Sequence, residues 1–119
     1  MKLNRLANAI GARVHTHGRG EEVEIRCVKA GDRISDLLYG VSEGCLVVTH
    51  LTNLNLTRLI ELMDVPALCL LNGATPDLEL LDAVEEIGAA VMVSPDGMFE
   101  TCGRLYAALR GPEAHPGGL

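Results

Sequence analysis

Cys45-Leu46-Val47-Val48, Ala67-Leu68-Cys69-Leu70-Leu71 and Ala89-Ala90-Val91-Met92-Val93 are the stretches on which the fold of this chain turns. Each is apolar throughout and too short for an independent helix. With both alternate faces apolar, they are predicted to be buried parallel strands. Behind each comes a stripe at helical spacing: Leu56, Leu59, Ile60 and Met63; then Leu80, Leu81 and Val84 with Ile87; then Phe99, Cys102, Tyr106 and Leu109. Three consecutive βα units imply a mostly parallel sheet flanked by helices, and such open sheets bind ligands outside the carboxyl ends of their strands. The loops there are His50-Leu51-Thr52-Asn53, Asn72-Gly73-Ala74-Thr75 and Ser94-Pro95-Asp96-Gly97.

Upstream, Leu3, Leu6, Ala7 and Ile10 repeat at helical spacing before Gly11, which suits a helix C-terminus with positive φ. Arg13-Val14-His15 is a short strand candidate, and Thr16 to Glu22 reads as a mobile loop. Val23, Ile25 and Cys27 alternate with Glu24 and Arg26, as in a strand near a sheet edge. After Gly31-Asp32, the stripe Ile34, Leu37, Leu38, Val41 predicts a further helix, capped by Asp32 or Ser35 and stopped near Gly40 or Gly44. Residues 1–110 therefore read as one α/β domain. Residues 111–119, with two prolines and three glycines, read as a disordered tail.

The bulk properties agree with one domain of 119 residues. Phe99, Tyr39 and Tyr106 are the whole aromatic complement, so the core must be aliphatic. A net charge of −6 without a basic stripe argues against nucleic acid. No apolar run approaches the roughly 18 to 20 residues of a membrane span. Asn4, Arg5 and Asn8 interrupt any signal-peptide core, which places the protein in the cytoplasm. Cys27, Cys45, Cys69 and Cys102 form no C-x-x-C pair and are expected to be reduced, unbridged and free of zinc.

The span from Val28 to Leu105 resembles the DRTGG domain family. The likeness is carried by Val28-Lys29-Ala30-Gly31-Asp32, Gly44-Cys45-Leu46-Val47-Val48-Thr49-His50, Leu70-Leu71-Asn72-Gly73-Ala74-Thr75-Pro76-Asp77 and Asp96-Gly97-Met98-Phe99-Glu100-Thr101. Order and spacing match more closely than individual residues. No intact Asp-Arg-Thr-Gly-Gly string is present, His50-Leu51-Thr52 stands in place of a charged loop, and Asn72-Gly73-Ala74 in place of a double glycine. The resemblance implies a fold like the N-terminal domain of HPr kinase. Relatives occur fused to phosphotransacetylases, between CBS modules of regulated pyrophosphatases, and as small standalone proteins, some beside iron-hydrogenase genes. In none is this domain the catalytic part, which implies regulation, dimerisation or nucleotide-linked sensing.

Thr75-Pro76-Asp77 has the order of a helix start, with threonine as cap and proline at the first helical position. The amides of Gly73, Ala74 and Thr75 would be free to cradle an anion, though Asp77 would repel it. Asp96 can cap the last helix through the amides of Met98 or Phe99, or face a ligand hydroxyl. His50, with Thr52 and Asn53 beside it, is a base, a ligand contact or a polar strand terminus; no nucleophile accompanies it. His15 and His17 give only a weak metal motif. There is no Walker loop, G-x-S-x-G elbow or H-E-x-x-H helix.

These residues lead to a non-catalytic regulatory domain without cofactor or metal, forming a homodimer and sensing a small molecule, with a nucleotide as one candidate. The expected ligand residues are His50, Thr52, Asn53, Asn72, Gly73, Thr75 and Asp96. Two other classes compete: an assembly factor that binds a protein partner, and a small enzyme using His50 and Asp96 as an acid–base pair.

Overall fold

The computed structural model describes residues 1–16, 22–40 and 43–111. In chain order it contains α1 (Leu3–Ile10), β1 (Arg13–Val14), β2 (Cys27–Ala30), α2 (Ile34–Gly40), β3 (Cys45–Thr49), α3 (Asn55–Met63), β4 (Ala67–Leu70), α4 (Leu78–Ile87), β5 (Ala90–Val93) and α5 (Met98–Arg110). One sheet of order β1-β5-β4-β3-β2 results. The strands β2, β3, β4 and β5 run parallel, with Leu46 opposite Ala67 and Leu70 opposite Val93, while β1 closes the β5 edge antiparallel. The three apolar runs are thus neighbouring parallel strands, as their continuous hydrophobicity predicts.

Side chains alternate between two cores. Val47, Leu68, Leu70, Val91 and Val93 pack under α2, α3 and α4 through Leu37, Leu56, Leu59, Ile60, Leu80 and Val84. Leu46, Val48, Cys69 and Met92 pack on the opposite face under α1 and α5 through Leu3, Leu6, Ile10 and Leu105. Both cores are aliphatic. The amphipathic α1 ends at Gly11, whose φ of 72° is one that a glycine adopts without a Cβ penalty.

Five local expectations change. The alternation of Val23 and Ile25 is real, but its partner is the N-terminal arm: Leu3 N–H donates to the Val23 carbonyl at 2.9 Å and Ile25 N–H to that of Met1 at 2.8 Å. The sheet strand begins only at Cys27 and continues to Ala30. Thr16 does not open a mobile loop; it is 1% exposed and its hydroxyl accepts the Val91 N–H at 3.1 Å. Val41, His17 to Glu21 and the tail from Pro112 lie outside the described residues.

The stripe on α5 is rotated from the expected one. Phe99 and Tyr106 are 86% and 54% exposed, whereas Thr101 and Leu105 are fully buried. The two stripes share Cys102 and Leu109, so either gives an amphipathic helix. Turning Phe99 and Tyr106 inward would expose Leu105 and part the buried Ser94 and Thr101 hydroxyls, which lie 2.7 Å apart.

Cys27 and Cys45 are joined in a disulfide, against the expectation of four free thiols. The βαβ crossover through α2 returns the chain one strand over, bringing the two residues into direct register with Cα atoms 4.4 Å apart. Cysteines 18 positions apart are distant only along an extended chain. Cys69 and Cys102 carry free thiols; burial pushes Cys69 up to about 12 and raises Cys102 in the same direction. The bridge removes the cysteine argument for a reducing compartment. No helix among the described residues is long and apolar enough to cross a membrane.

Candidate functional site at the carboxyl edge of the sheet

Four βα connections leave the same edge of the sheet. Those after β2, β3 and β4 lead to α2, α3 and α4 on one face, and that after β5 leads to α5 on the other. Where neighbouring strands send their connections to opposite faces, the loops separate and open a crevice. Here that point lies between β4 and β5.

The loops at this point are tied by their backbones. Asn72 N–H donates to the Asp96 carbonyl at 2.9 Å and Gly73 N–H to the Ser94 carbonyl at 2.8 Å. To make this turn, Asn72 and Gly73 both take left-handed backbone, with φ of 57° and 64°. Glycine has no steric cost there, and asparagine is among the residues that tolerate it best. The Asn72 side chain is left at the surface, its carboxamide oxygen 3.5 Å from where a methyl group on Gly97 would stand.

Asp96 does not cap α5. The N-cap is Gly97, without a side-chain hydrogen bond. The Asp96 carboxylate turns to Arg104, with Oδ2 2.8 Å from Nη1. That buried oxygen lacks an aligned hydrogen bond despite the short distance, so its compensation is by charge. Beneath it, Asp96 N–H donates to the Ser94 hydroxyl at 3.1 Å, anchoring the loop to the buried Ser94–Thr101 pair.

Thr75 is exposed, and α4 begins later than the Thr-Pro-Asp order implies: Asp77 is the N-cap and Leu78 the first helical residue. Pro76 precedes the helix and is buried. Thr52 and Asn53 are also exposed, and the Asn53 carboxamide oxygen accepts the Asn55 N–H at 3.0 Å in the turn into α3.

Two strands away from Asp96, His50 has a carboxylate partner that the sequence reading did not assign. Asp32 Oδ1 accepts the His50 N–H at 2.7 Å and the Thr49 hydroxyl at 3.2 Å, while Oδ2 lies 2.9 Å from His50 Nδ1. The His50 amide, then its ring and the Thr49 hydroxyl, outweigh the opposing effect of burial and hold the Asp32 carboxyl below its usual range. With Nδ1–H held by a carboxylate, the other ring nitrogen of a neutral His50 is the acceptor. His50 and Asp96 are therefore not an acid–base pair: the His50 ring is hydrogen-bonded to the Asp32 carboxylate, and Asp96 is ion-paired with Arg104.

A signal for Asp32 was present. Val28 and Ala30 extend a mostly apolar stretch to the residue before Gly31-Asp32, although out of phase with Val23, Ile25 and Cys27. A strand carried to Ala30 puts Asp32 in the same place in its βα unit as His50 in the next.

No family model matches the chain, and no curated protein matches it. Among solved structures it is similar to the CBS and DRTGG domains of the regulatory region of Clostridium perfringens pyrophosphatase, in complex with its activator diadenosine tetraphosphate. The TM-score is 0.69 at 18% identity, over 87% of this chain. The fold is DRTGG-like. At that identity the likeness is one of fold, and the chain corresponds to only 45% of the pyrophosphatase fragment. The DRTGG-like fold accounts for the parallel sheet and its helical layers; the Asp32–His50 and Asp96–Arg104 pairs are read from this chain's own residues.

Proposed function

We propose that this protein is a non-catalytic regulatory domain that senses a small molecule at the carboxyl edge of its sheet and works as a homodimer. The observation that carries the reading is the change of sheet face between the β4 and β5 connections, where Asn72 and Gly73 are bonded to the Asp96 and Ser94 carbonyls. His50, Thr52, Asn53 and Thr75 extend the site along the same edge, and Asp32 orients His50. Backbone ties between the two loops make them a prepared surface, which lowers the ordering cost of binding. The similar pyrophosphatase region is regulatory and was solved with a nucleotide activator, which makes nucleotides the first class to test.

The way the charged groups are used supports a non-catalytic reading. Both carboxylates are engaged by local partners, Asp32 by His50 and Asp96 by Arg104, and His50 has no nucleophile in contact among the described residues. Dimerisation would protect the β2 edge or a helical face, two-fold pairing being the commonest arrangement.

Thermal denaturation across a panel of nucleotides and small metabolites tests the proposal. A ligand at 100 times its dissociation constant adds about 2.7 kcal/mol of stability. The shift is expected to shrink in His50→Gln and Asn72→Gly. A panel without a single shift, together with stable capture of one protein partner, would replace sensing by the assembly role. Sedimentation velocity tests the dimer independently.

A further inference from the structure

A second binding feature lies away from the βα loops, along the free edge of the sheet. Between β2 and the last turns of α5 runs a groove of about 600 Å³, lined by Val28, Cys102, Tyr106 and Leu109 with Arg26 and Arg110. Its size falls within the range of small-molecule sites, roughly 300 to 1,000 Å³. The lining is an apolar wall, one half-exposed ring and two guanidinium groups. Arg110 lies over the Tyr106 ring, 4.9 Å from its centroid.

Among the described residues, neither arginine forms an ion pair with a carboxylate. Glu24 lies close enough to feel Arg26, but its carboxylate is held by the N-terminal ammonium, the main reason its pKa is lowered. Two cations without an ion-paired carboxylate among the described residues, beside an apolar wall, suit an anion with an apolar body.

We infer that the groove between β2 and α5 binds a small organic anion, its flat apolar body against Val28, Tyr106 and Leu109 and its acidic group between Arg26 and Arg110. The acidic group is a carboxylate or a phosphate monoester, which guanidinium groups receive with the same fork geometry. This site is separate from the carboxyl-edge loops and does not depend on their function.

Titration of the full chain with 1-naphthyl phosphate, 1-naphthoate and uncharged 1-naphthol, followed by NMR, tests the inference. Both anions are expected to bind at least about tenfold more tightly than naphthol, with shifts centred on Val28 and Tyr106. The tighter anion identifies the acidic group. Arg26→Gln and Arg110→Gln should each weaken anion binding about fivefold or more without changing the melting temperature. Arg58→Gln, on the other helical layer, should leave it unchanged. Equal binding of naphthol, an Arg58→Gln effect as large as that of Arg110→Gln, or shifts centred on residues 72–75 would each overturn the inference.

Discussion

Asp32 and His50, 18 positions apart, are joined twice: the carboxylate accepts the His50 backbone N–H at 2.7 Å and meets its ring nitrogen Nδ1 at 2.9 Å. The link couples the loop after β2 to the loop after β3. Its loss should be felt by stability and by the orientation of the imidazole together.

Asp32→Ala is expected to cost about 1 kcal/mol near neutral pH, the worth of a partly exposed charge-assisted contact. Because the folded carboxyl titrates below 3.8, its contribution is complete above that value and is lost as pH falls through the lower folded value. Urea denaturation of both proteins from pH 7 to pH 2.5 should therefore show the gap closing only in acid. A gap that widens in acid contradicts the sign.

Leu70→Ala should destabilise the protein by about 2 to 5 kcal/mol, since the side chain is fully buried on a strand paired on both sides. Chemical denaturation giving a loss under about 1 kcal/mol would mean that the neighbouring side chains close the cavity.

Reduction of the Cys27–Cys45 bridge should lower stability by about 3 kcal/mol, the chain-entropy expectation for a loop of this length. Thiol titration of the unfolded, unreduced chain should find two reactive cysteines, Cys69 and Cys102, and four after reduction. Four without reductant would remove the bridge.

At Asn72, left-handed backbone decides the outcome. The φ of 57° means that Asn72→Ala should cost about 1 kcal/mol, although the residue is exposed at a loop tip. Asn72→Gly should be close to neutral, and is the substitution with which to probe ligand contact. Equal stability of the alanine and glycine variants would show that the turn relaxes.

Phe99→Ser should change stability by no more than about 0.5 kcal/mol, as expected for a side chain 86% exposed. Leu105→Ala should cost about 2 to 5 kcal/mol. Reversal of that order would restore the stripe through Phe99 and Tyr106.

The amino-acid sequence alone determined the repeating βα units, their parallel association and the edge where their loops gather. These follow from short-range chemistry: β3, β4 and β5 are apolar on both faces over four or five residues, and α1 ends at a glycine in left-handed backbone. Tertiary structure decided what depends on partners. Two overlapping stripes were open to α5, and the Ser94–Thr101 contact with the burial of Leu105 selected between them. Cys27 met Cys45, and Asp32 met His50, because the crossover through α2 sets residues 18 apart side by side. Periodicity along a chain reports which face of an element is buried; it carries no register between strands, and register is what brought these side chains together.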